Sequence, residues 1–146
     1  MRRRSVFPTP LALRAGLCRA PVVAVWIVLL AGCGGPGVEM EGDPALSAHP
    51  RISPTPPMAG EALVAVEVLD AGAPPPGATR VVVTPIPDRL GPGVPSVLVP
   101  GEPGWWSGEV TFPEAGPLRL EIVVTLPGGR SATFRYPVTV TRRPGS

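Results

Sequence analysis

Trp105-Trp106-Ser107-Gly108-Glu109-Val110-Thr111-Phe112 is the stretch that decides the fold class. Read with a period of two, Trp106, Gly108, Val110 and Phe112 line one face, and Ser107, Glu109 and Thr111 the other, as in a half-buried strand. The pattern recurs downstream. Pro113-Glu114-Ala115-Gly116 turns the chain, after which Leu118, Leu120, Ile122 and Val124 point one way and Arg119 and Glu121 the other. Pro127-Gly128-Gly129 predicts a hairpin turn, followed by Phe134, Tyr136, Val138 and Val140 alternating with Arg135, Thr139 and Thr141. Every even-numbered position in these three segments is a core candidate. Trp105 and Trp106 are neighbours in a strand, so their side chains take opposite faces. Trp106 belongs to the core, which leaves Trp105 outside as a candidate partner contact.

Upstream the same period appears in Leu63-Val64-Ala65-Val66-Glu67-Val68, with the three valines on one face. Asp70 to Gly77 is a turn-rich link. The β-branched run Arg80-Val81-Val82-Val83-Thr84 predicts a strand that Pro85 and Pro87 end or push to a sheet edge. Pro87 to Val94 is expected as a loop and Ser96 to Val99 as a short edge strand. Six to seven short strands without an amphipathic helix predict a mainly β protein, a single β-sandwich over residues 58–141 with a short tail at 142–146.

The N-terminal third is different. Pro21 to Ala31 is an apolar run preceded by arginines and closed by small residues, the pattern of a secretory signal. Its 11 residues fall short of the roughly 20 needed to span a bilayer, and the glycines and proline that follow discourage helical continuation. Leu30-Ala31-Gly32-Cys33 resembles the lipobox of bacterial lipoproteins. That resemblance implies peptidase recognition of Leu30, Ala31 and Gly32, cleavage after residue 32, and lipid attachment to Cys33. It also implies a cell-envelope location, held to the membrane by lipid. Gly34, not being aspartate, points to the outer membrane, facing the periplasm, rather than the inner membrane. Residues 33–57, rich in Gly and Pro, are expected as anchor and flexible tether, with an r.m.s. reach of roughly 25 to 30 Å.

Composition narrows the function. Five of the thirteen arginines precede Cys33, so eight remain against eleven acids, a formal charge of −3. A basic surface for nucleic acid or anionic lipid is therefore excluded. With Cys18 removed and Cys33 lipidated, no thiol remains for a disulfide, a metal or catalysis. The sole histidine, His49, is expected in the tether, where it cannot be held for a catalytic triad, and no phosphate-loop, dinucleotide or zinc pattern occurs. No catalysis and no cofactor are expected, and no small-molecule ligand is indicated. Met40, His49 and Met58 are the remaining soft or imidazole donors and hence candidate copper ligands. On a floppy segment, ordering all three would cost entropy.

From Pro57 to Val140 the order of turns and strands resembles the YtkA-like and FixH-type domain of bacterial envelope proteins. The resemblance rests on Pro57-Met58-Ala59-Gly60, the link Asp70 to Ala78, Gly104 to Phe112, and Ala115-Gly116 leading into Leu118-Arg119-Leu120. It implies an immunoglobulin-like sandwich. Members often carry a methionine-rich, soft-metal segment after the second strand, where this chain has Ile86-Pro87-Asp88-Arg89-Leu90, which offers no thioether. The expectation is a lipid-anchored, non-catalytic envelope module that binds or assists another envelope protein. The alternative is a copper-handling protein of the same type.

Overall fold

The computed structural model describes residues 37–145, so the signal segment and Leu30-Ala31-Gly32-Cys33 lie outside the described residues. Nine strands follow in order: β1 (Glu39–Gly42), β2 (Leu46–Ser53), β3 (Gly60–Asp70), β4 (Arg80–Pro87), β5 (Ser96–Val97), β6 (Val99–Pro100), β7 (Trp105–Phe112), β8 (Gly116–Thr125) and β9 (Ser131–Val140). They form two antiparallel sheets, β1-β9-β8-β4-β5 and β2-β3-β7-β6, packed as a β-sandwich. No helix occurs among the described residues.

The alternation in the sequence builds the core. Val64, Val66 and Val68 from β3 and Trp106, Val110 and Phe112 from β7 meet Leu118, Leu120, Ile122 and Val124 from β8 and Phe134 from β9, all buried. Large side chains fully removed from water stabilise by roughly 1.5–3 kcal/mol each. Trp106 satisfies its indole inside the core by donating from Nε1 to the Thr79 carbonyl at 3.2 Å.

Two expectations are corrected, and one left open is decided. First, residues 39–53 are not tether: β1 pairs with β9 and β2 pairs with β3 along its full length. Leu46 and Ala48 are buried and Ile52 packs against the core, so β2 covers apolar surface that a solvated linker would leave open. Second, Pro85 and Pro87 do not end β4, and both are buried; β5 pairs only with Val82 and Val83, so the prolines lie on an edge stretch of the strand, the other outcome expected. Odd positions of β4 direct their backbone groups away from β8, as the bonds from Leu98 N to Val81 O and from Gly93 N to Pro85 O show. The missing proline N–H groups therefore fall outside the β4–β8 ladder. Third, Ser96–Val99 is not one edge strand. β5 joins the five-stranded sheet and β6 the four-stranded one, and Leu98 between them is buried where the chain crosses.

The outer edge of β2 is partly closed. Tyr136 donates its hydroxyl to the Ala48 carbonyl, Thr55 Oγ1 donates to the Ile52 carbonyl at 2.9 Å, and Pro50 has no N–H to offer. Burial raises the Tyr136 pKa, which keeps that hydroxyl a donor.

Strand direction gives the sandwich two ends. Loops 54–59, 88–95 and 113–115 and the tail from 141 gather at one, here the near end. Loops 43–45, 71–79, 101–104 and 126–130 gather at the far end.

Candidate functional site

Three strands build the outer face of the four-stranded sheet. The register aligns His49 with Glu67 and Glu67 with Trp105, and beside that row Arg51 with Ala65 and Ala65 with Ser107. Because side chains alternate, all six stand on the side away from the core. Trp105 is half-buried while Arg51 and His49 are exposed. Ala65 is too short to block the space between β2 and β7, so Arg51 crosses over β3. Its guanidinium carbon lies 4.8 Å from the Trp105 ring centroid, a cation–π contact worth about 0.5–1 kcal/mol at such a site. The pairing holds the indole in one orientation with a fixed positive charge against it.

Trp105 thus lies where its sequence position implies, on the outer face. Arg51 was missed, because residues 33–57 read as linker. The signal for it is the alternation Leu46, Ala48, Ile52 against His49 and Arg51, interrupted by Pro50.

The three candidate metal donors are not on a tether, and they are not brought together. Met40 lies in β1 opposite Phe134, and Met58 bridges Thr141. Those partners are seven residues apart along β9 and the residue that follows it, a span of about 23 Å. His49 stands on the other sheet opposite Glu67, about 23 Å along β3 from Gly60, which Met58 precedes. Cys33, the lipid-attachment candidate, and Leu30, Ala31 and Gly32 lie outside the described residues. Ile86 and Pro87 of the segment Ile86 to Leu90 close β4. Asp88 and Arg89 line a recess of about 360 Å³ with Glu114, Ala115, Gly116 and Pro117, where the nearest charged groups are hard carboxylates and a guanidinium.

A second charged group sits at the far end. Arg130 donates from Nε to Asp43 Oδ2 at 2.6 Å, and from Nη1 and Nη2 to Asp70 Oδ2 and Oδ1 at 2.9 Å each. Asp43 Oδ1 also accepts from the Ala45 N–H at 2.9 Å. The Arg130 hydrogen bond, then the backbone one, holds the Asp43 carboxyl below its ordinary range, and the two aspartates raise the Arg130 pKa. Three N–H groups of Arg130 are engaged with the two carboxylates, so the group acts as a fastening for three loops.

No family model matches the chain, and no curated protein matches it. Among solved structures it is similar to the soluble domain of PmoD from Methylocystis sp. ATCC 49242 (Rockwell), with a TM-score of 0.42 and 16% identity, over 64% of this chain and 90% of that one. The functional reading therefore rests on this chain's own residues.

Proposed function

We propose that the chain is a non-catalytic, lipid-anchored envelope lipoprotein whose β-sandwich is a binding or accessory module for another envelope protein. The anchor reading is supported by the sequence Leu30-Ala31-Gly32-Cys33 and the apolar run before it. An outer-membrane, periplasm-facing location follows from Gly34, and kinship to the YtkA-like and FixH-type domains from the order of motifs between Pro57 and Val140. The observation that carries the binding role is the Arg51–Trp105 pair on the outer face of the four-stranded sheet. Tryptophan and arginine are the side chains that most often dominate binding energy at protein interfaces, and this pair is already ordered before a partner arrives.

Cross-linking in native membranes tests the role. Trp105→Ala is expected to reduce capture of the partner severalfold while leaving the unfolding midpoint nearly unchanged; an unaltered cross-linking pattern removes this face from the account. In the same membranes Cys33→Ser is expected to abolish labelling by fatty acid.

A further inference from the structure

Adding a strand to a sheet needs an edge whose backbone groups and flanking side chains are both still open, and β1 is such an edge. Asp43 N donates to Ser131 O and Leu126 N to Arg130 O, so odd positions of β1 serve β9 and even positions aim away from it. The register carries back to Gly37, where a Cβ would lie 2.9 Å from Pro137 Cγ. The N–H and C=O groups of Val38, Met40 and Gly42 therefore face outward, with no partner among the described residues. Met40 stands opposite buried Phe134 and shares its core-facing side, as does Val38 two residues earlier. With no strand beyond β1 to cover them, Met40 is 46% and Val38 40% exposed.

The other edges lack one feature or the other. β2 has Pro50 and two occupied carbonyls. β4 beyond Val83 meets Pro85 and Pro87, whose missing N–H groups fall on the open side, and β5 and β6 are two residues each. β7 beyond Ser107 leaves the backbone of Glu109 and Thr111 open, since the bond from Gly101 N to Trp105 O places odd positions on that side. The side chains that face inward there, Val110 and Phe112, are each 1% exposed, so a strand added at β7 finds no apolar surface left to cover.

Charge selects what can occupy the β1 edge. On the outer face of the five-stranded sheet Glu39 and Glu41 stand beside Arg135 and Glu121, with Arg119 in the next row. Arg135 is shared between Glu41 at 3.7 Å and Glu121 at 3.0 Å. Glu39 has no ion pair among the described residues, and Asp43, the next acid along the chain, is held by Arg130. Glu39, Glu41 and Glu121 thus face two arginines, and both positions at the very edge are acidic. Because even positions carry the outward hydrogen bonds, Glu39 and Glu41 fall in the non-hydrogen-bonded pairs with an added strand, where side chains approach most closely. A second copy pairing antiparallel about Met40 sets each Glu39 opposite a Glu41, which is repulsive. A strand with basic side chains at those places is attracted instead.

We propose that the β1 edge takes up an extended segment of another protein as a further strand, with apolar side chains over Val38 and Met40 and lysine or arginine beside Glu39 and Glu41. This surface lies on the other sheet from the Arg51–Trp105 face and does not depend on the lipid anchor. Backbone hydrogen exchange of the protein isolated from its host, read residue by residue, tests it with two short peptides, one alternating valine with arginine and one alternating valine with glutamate. The basic peptide is expected to slow exchange at Val38, Met40 and Gly42 severalfold, and the acidic one to leave it unchanged. Glu39→Arg breaks no ion pair and is expected to weaken the basic peptide severalfold at an unchanged unfolding midpoint. Protection by both peptides alike, by neither, or at Glu109 and Thr111 instead overturns the proposal. Slow exchange at Met40 in the protein alone means that a second copy or the residues before Gly37 already cover the edge, and overturns it too. None of these results bears on capture through Trp105 or on labelling of Cys33, so the two readings fail separately.

Discussion

The Thr79 hydroxyl is buried without a hydrogen-bond partner among the described residues, although the Thr79 carbonyl accepts from Trp106. A buried unsatisfied hydroxyl costs roughly 1–3 kcal/mol. Thr79→Val keeps the shape and the carbonyl and removes the hydroxyl, so urea unfolding is expected to show a gain of about 1 kcal/mol. Nothing in the sequence flags this position, since a threonine before a strand usually faces water. The opposite fates of Trp105 and Trp106 were legible, because adjacent residues in a strand cannot share a face. What faces Trp105 was not. Arg51 comes from a strand 54 residues earlier, and only the β2–β3–β7 register brings the two together.

Among the elements, β2 is where the sequence misleads most and where a substitution is most informative. Leu46 is 1% exposed, so Leu46→Ala is expected to cost about 2–5 kcal/mol, read from the urea midpoint; a linker residue would cost almost nothing. The strands with unbroken alternation, β3, β7, β8 and β9, were readable because each offers three or more apolar residues at a period of two. β2 has Pro50 and His49 in the middle of its period, and β1 is short and wholly exposed. Composition alone then favours a tether. For the prolines of β4 the sequence leaves open whether they end the strand or mark an edge, because which side of a strand a missing N–H faces depends on its neighbour in the sheet. The division of Ser96–Pro100 between two sheets depends likewise on Leu98 finding a core that local sequence does not describe.

On the scale of the whole molecule, the far end is tied by Arg130 to the turns holding Asp43 and Asp70. The Asp43 carboxyl titrates lower in the folded protein than its ordinary value of 3.8. Folding is therefore favoured by this group while pH stays above 3.8, and that contribution is lost as pH falls through the lowered value. Thermal melts from neutral pH downward are expected to hold level and then drop below pH 3.8, and Arg130→Gln is expected to flatten the drop. The group is solvent-exposed and screened by salt, so the drop is expected to shrink as ionic strength rises.

The partly closed margin of β2 bears on how these molecules behave in a crowd. At high concentration molecules often meet edge to edge, and a long bare strand would invite neighbours to zip together. Here the tyrosine and threonine hydroxyls occupy two of the carbonyls, and the proline withholds a donor. Crowding can then coexist with separate, unzipped copies.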